Sequence, residues 1–105
     1  MDILIRQALP EESGLVASMR VTLLDEASGP LTACEKEKLA ADNEAVIAEG
    51  IKNGSLLSFL AFDGEKPVGT CSVTLYTVLP GKKLPNGKQG YLQNMFVVPE
   101  YRRNG

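Results

Sequence analysis

At 105 residues the chain has room for one domain with a real core and not for two. Its 11 Lys and Arg against 13 Asp and Glu give a net charge of −2, which argues against a nonspecific nucleic-acid binder. With 44% apolar and 23% charged residues it is not a disordered chain either. The absence of histidine excludes a His-ligated zinc, a Ser-His-Asp triad and a Cys-His pair within this sequence. Cys34 and Cys71 have neither metal nor disulfide spacing, so no metal is expected, and Cys71, in a β-branched run, reads as a small apolar residue. Met1-Asp2-Ile3-Leu4 lacks the basic start and apolar run of a signal peptide, and no stretch is apolar for a bilayer's width. No membrane or nucleic-acid partner is expected, and a reducing, bacterial-type cytoplasm is the expected compartment.

Ile3, Leu4 and Ile5, followed by Arg6, predict a short first strand that Leu9-Pro10 ends. Glu11 and Glu12 then stand where a first helical turn carries acids against the helix dipole. Val16, Met19, Leu23 and Ala27 recur at three- and four-residue steps, the stripe of an amphipathic helix, until Gly29-Pro30. A second helix starts at a capping box, Thr32 with Glu35, presents Leu39, Val46, Ile47 and Ile51 on one side, and leaves at Asn53-Gly54.

Leu56 to Phe62 reads as a strand, Asp63-Gly64 as a tight turn that Glu65 and Lys66 lengthen or not, and Val68 to Val78 as a long β-branched strand. Leu79 to Gly90, with its prolines, glycines and Lys82, Lys83 and Lys88, predicts a mobile basic loop. Tyr91 to Val98 is the last strand, with Gln93, Met95 and Val97 on one face and Leu92, Asn94, Phe96 and Val98 on the other. The order β-α-α-β-β-β predicts an α+β (mixed α/β) fold around a mostly antiparallel sheet. A strand end, Pro99, two arginines and a glycine make a turn suited to hold an anion on backbone N–H groups.

Val98-Pro99-Glu100-Tyr101-Arg102-Arg103-Asn104-Gly105 resembles the coenzyme signature of the GNAT superfamily of N-acetyltransferases, V-x-P-x-x-[QR]-x-x-G-x-[GA], up to its first glycine. The element order is also that of the start of a GNAT protein. The resemblance implies a single acyl-CoA N-acyltransferase-like domain over residues 1–105, apparently truncated at its C-terminal side. It implies acetyl-CoA as co-substrate and a small-molecule or peptide amine as acceptor. Carried over by position, the pantetheine arm meets the backbone of Phe96, Val97 and Val98, and the pyrophosphate meets Arg102, Arg103, Asn104 and Gly105. Read without the resemblance, the two arginines are solvated charge after a strand.

The resemblance also implies a backbone N–H, at Val97 or Val98, that polarises the thioester carbonyl, and a glutamate earlier in the strand as base. No carboxylate lies between Tyr91 and Val98, which leaves Tyr91, Gln93 and Asn94 to hold a water or orient the amine. Asn94 has a second reading, as hydrogen-bonded structure at a bulge. The catalytic candidates are therefore Asn94 and Tyr91. The missing base keeps open a non-catalytic acyl-CoA-binding or regulatory module of the same fold. A sheet that stops at this strand leaves an open edge and an apolar face, so self-association as a homodimer, or completion by a separate piece, is expected.

Overall fold

The computed structural model describes residues 2–102. The observed order is β1 (Ile3–Gln7), a 3-10 turn (Pro10–Glu12), α1 (Ser13–Ala27), α2 (Ala33–Asn53), β2 (Leu56–Asp63), β3 (Lys66–Thr77), β4 (Lys88–Val97) and a second 3-10 turn (Pro99–Tyr101). The four strands form one antiparallel sheet in the order β1-β2-β3-β4, the α+β arrangement the sequence predicts.

Both helices pack on one face. Val16, Ala17 and Met19 of α1 and Ile47 of α2 meet Leu56 and Leu60 of β2 and Phe96 of β4 in a single core. Strand alternation sets this: Leu56, Ser58 and Leu60 are buried at every second position, while the residues between them are half-buried. Gly50 permits the close seat of α2, since a Cβ there would stand 2.7 Å from the Leu56 Cβ. The opposite face is uncovered among the described residues and holds a shallow apolar groove lined in part by Ile5, Phe59, Ala61, Met95 and Val97.

The capping box forms as expected: Thr32 Oγ1 accepts from the Glu35 N–H at 3.1 Å and Glu35 Oε1 accepts from the Thr32 N–H at 2.9 Å. Gly54 closes α2 with φ +81°. The first helix begins differently. Glu12 lies in the 3-10 turn, ahead of α1, and its carboxylate reaches back to the Leu9 N–H at 2.9 Å and to Arg6 at 2.8 and 2.7 Å. It pins β1 to the helix entry. Two members of the expected apolar stripes are exposed: Ala27 at the end of α1, and Val46, 69% exposed on α2. Burial in α1 instead takes in Ala17 and Val21, because this helix touches both α2 and the sheet.

The long loop is shorter than expected. β4 already begins at Lys88, paired with Thr77. Gly87 makes this possible: it takes φ +68° and its carbonyl accepts from the Val78 N–H at 2.7 Å, so pairing resumes at once. A Cβ on Gly87 would collide with the Val78 carbonyl. The hairpin between β2 and β3 uses the short turn, with Gly64 at φ +63° and Asp63 opposite Lys66.

Candidate functional site

The strand that carries the candidates does not alternate simply. Thr70 pairs with Phe96 but Ser72 pairs with Gln93, so Asn94 and Met95 together oppose Cys71. This is a β-bulge, and Asn94 takes φ +58° to make it, a left-handed conformation that asparagine accepts better than most side chains. The bulge overturns the faces expected from alternation. Before it, Tyr91 and Gln93 sit opposite Thr74 and Ser72 on the helix side; after it, Phe96 does, and Met95 and Val97 line the groove on the other side. Gln93 therefore shares a face with Asn94, not with Met95 and Val97.

The polar groups so gathered form a network. Ser58 and Ser72, both buried, share a hydrogen bond at 2.8 Å, and Asn94 Nδ2 donates to Ser72 Oγ at 3.5 Å, a long contact. Gln93 Nε2 donates to Thr74 Oγ1 at 2.8 Å. Asn94 is 7% exposed and its Oδ1 has no hydrogen-bond partner among the described residues. Between this face and the helices lies a cleft of about 170 Å³ whose walls include Arg20, Asn43, Ser72, Thr74, Gln93 and Asn94. Tyr91 stands outside that wall and is 60% exposed, so the structure brings Asn94 and Gln93 together and leaves Tyr91 at the rim.

Sequence reading missed Arg20, Asn43, Ser72 and Thr74. One signal was available: Arg20 sits four residues after Val16 and three before Leu23, a charge on the apolar stripe itself.

Past the bulge, β4 is the sheet edge. The Val98 N–H donates to the Val68 carbonyl at 2.9 Å, and the Phe96 carbonyl lies against Gly69 of β3. By alternation Val97 turns its N–H and C=O to the open edge, and its carbonyl there accepts from Arg102 Nε at 2.7 Å. Of the three residues assigned to the pantetheine arm, the Val97 main chain alone faces outward. Phe96 contributes a side chain, 5% exposed in the core.

The turn after β4 is braced from two sides. Arg102 Nη2 meets Glu26 of α1 at 2.8 and 3.0 Å, and its guanidinium lies 5.5 Å over the Phe96 ring. The Tyr101 hydroxyl donates to Asp63 Oδ2 at 2.5 Å, which holds its proton on and pushes its pKa up. Lys66 pairs with Glu100 at 3.2 Å, and that hydrogen bond raises the lysine's pKa. The N–H groups of Tyr101 and Arg102 return to the carbonyls of Val98 and Pro99 within the turn. The remaining residues expected to meet an anion, Arg103, Asn104 and Gly105, lie outside the described residues.

Among the described residues no group of three or more His, Cys, Asp and Glu is gathered as a metal site. Among them, too, no helix is long and apolar enough to cross a membrane.

A sheet of this topology with two helices on one face, a bulged fourth strand and an open edge leading into a turn that carries Arg102 is a GNAT-like α+β fold. A model of the acetyltransferase (GNAT) family matches residues 17–105, and the chain belongs to that family. A crystal structure of a predicted acetyltransferase from Clostridium acetobutylicum, with acetyl-CoA, superimposes with a TM-score of 0.83 at 20% identity, over 99% of this chain and 65% of that one. A GCN5-related N-acetyltransferase from Ralstonia eutropha JMP134 gives 0.82 at 20% identity, over 99% and 67%. A possible acetyltransferase from Clostridium difficile 630 gives 0.73 at 21% identity, over 98% and 62%. The chain thus spans roughly two thirds of the length of these proteins. No curated protein sequence matches it.

Proposed function

We propose that this chain belongs to an N-acetyltransferase, moving an acetyl group from acetyl-CoA to the primary amine of a small-molecule or peptide acceptor. Residues 1–105 are read as one acyl-CoA N-acyltransferase-like unit working in the cytoplasm. The observation that carries the reading is the outward main chain of Val97 at the open edge of β4, one step before the basic turn. An added strand-like ligand finds an outward N–H there and, once Arg102 releases it, an outward C=O, and a pantetheine arm has two amides to offer.

In this reading the amine nitrogen attacks the thioester carbonyl carbon from the helix side of β4, the C–S bond breaks, and the amine's proton ends on the departing thiol. The Val97 N–H stabilises the carbonyl oxygen as charge builds on it. Asn94, and Tyr91 at the rim, orient the amine or a water that relays its proton. Arg102, Arg103, Asn104 and Gly105 hold the pyrophosphate, by guanidinium charge and main-chain N–H groups.

Calorimetric titration with acetyl-CoA, followed by a thiol-release assay across a panel of amines, tests this. Binding heat together with thiol release is expected, and a silent titration would overturn the proposal. One observation favours a second reading: β4, Lys88–Val97, holds no carboxylate to act as base. A non-catalytic acyl-CoA-binding or regulatory module would bind the coenzyme and release no thiol with any amine.

A further inference from the structure

The cleft on the helix side of β4 has a polarity of its own. Arg20 is half-buried in its wall and is the only charged residue among the described residues that line it. Asp25, Glu26, Glu12, Asp42 and Glu100 all pair with other cations, and among the described residues Arg20 makes no ion pair, side-chain hydrogen bond or ring contact. A cation held part-way out of water with no counter-charge draws an anion into the space it faces. The same cleft contains the opposite need. Asn94, more than nine-tenths buried, holds an unmet acceptor, Oδ1, with Ser72 occupying its Nδ2. Native structures rarely leave such an atom without a donor.

We infer that the acceptor amine carries an anionic group, carboxylate or phosphate, and that this cleft recognises it: Arg20 pairs with the anion while Asn94 Oδ1 accepts an N–H from the amine end. The inference rests on the acetyl-transfer reading and names the substrate class for it. At about 170 Å³ the cleft is smaller than the roughly 300 Å³ at which pockets for drug-sized ligands begin, so it takes a compact head group. Gln93 and Thr74, bonded to each other, line the same cleft. Ile47 and Leu56, both buried, supply apolar lining that lowers the local polarity around the charge.

The test uses matched pairs of probes titrated into the chain and followed by ligand-observed NMR: β-alanine against its carboxamide, and O-phosphoethanolamine against ethanolamine. The anionic member of each pair is expected to bind about tenfold tighter or more, and Arg20→Gln is expected to abolish the difference. Equal affinity within both pairs, a difference that survives Arg20→Gln, or no binding of any probe overturns the inference. Where Arg20→Gln does not fold, the wild-type side-chain amide resonance of Asn94 decides, and its failure to shift with the anionic probes overturns the inference equally. Acetyl-CoA is titrated into the same samples. Coenzyme binding without an anion preference sinks this inference alone; an anion preference without coenzyme binding upholds the cleft's selectivity and sinks the acetyl-transfer reading.

Discussion

Arg102 Nη2 stands 2.8 Å from Glu26 Oε1 and so ties the turn after β4 to the last turn of α1. The same guanidinium caps the outward carbonyl of Val97. A side chain expected to serve a phosphate is therefore held by a carboxylate and a carbonyl, and coenzyme binding has to compete with both. Glu26→Gln is expected to cost less than about 1 kcal/mol of stability, as for other exposed pairs, and to raise acetyl-CoA affinity several-fold by releasing the arginine. Paired denaturation and calorimetry check it; an unchanged affinity means Arg102 does not reach the coenzyme.

The Arg6–Glu12 pair gives the fold an acid limit. The hydrogen bond from Arg6, then that from the Leu9 N–H, lower the Glu12 pKa from 4.5 to about 2. A carboxyl depressed on folding stabilises the protein above its unfolded pKa, and that stability drains away as pH falls from 4.5 towards 2. Discounted for its partial exposure, the contribution is about 1–2 kcal/mol at neutral pH. Glu12→Gln is expected to lose that amount at pH 7 and to differ little from the parent near pH 2, measured as urea unfolding across pH.

Asn94 separates into backbone and side chain. Asn94→Gly keeps the φ of +58° open to the chain and removes only the carboxamide. It is expected to fold with a stability change within about 1 kcal/mol and to lose acetyl transfer. Asn94→Val adds the strain of a β-branched residue at positive φ, about 1–3 kcal/mol. Thermal unfolding of the two variants, with thiol release from the first, checks the division; full activity in Asn94→Gly would leave the residue a purely structural role.

Gly87→Ala places a Cβ against the Val78 carbonyl at a residue with positive φ. The expected cost is about 1–3 kcal/mol, seen as a lower denaturation midpoint. Hydrogen exchange is expected to quicken first where Thr77 and Lys88 pair.

Leu92, Met95 and Val97 are exposed on one side of the edge strand, next to a sheet face that no described helix covers. A second copy is expected to pair there. Sedimentation velocity should show a concentration-dependent dimer that Leu92→Lys with Met95→Lys dissolves, and a monomer at all concentrations would contradict it.

What was legible in the sequence was mainly local. The Thr32–Glu35 cap, the Gly64 turn and the α1 stripe around Val16 and Met19 are each set by residues within a few positions of one another. The signature around Pro99 was legible because it is a linear word. A bulge was legible as one reading of Asn94, but its effect on the faces was not, because register is a match between two strands: nothing within Tyr91 to Val98 says that Cys71 will face both Asn94 and Met95. Through that one step the faces of Tyr91 and Gln93, and with them the cleft, escaped alternation. The engagement of Arg102 was hidden for the same reason, since Glu26 lies 76 positions away.

The Tyr101–Asp63 and Lys66–Glu100 contacts fasten the β2–β3 hairpin tip to the start of the basic turn. Surface hairpins of this kind are the usual places to graft an epitope tag or a reporter. Here a graft at Gly64 would strain the turn after β4, which the proposed function assigns to the coenzyme, far away along the chain. If the proposed function holds, this hairpin is a handle for tuning coenzyme affinity from outside the residues assigned to the coenzyme.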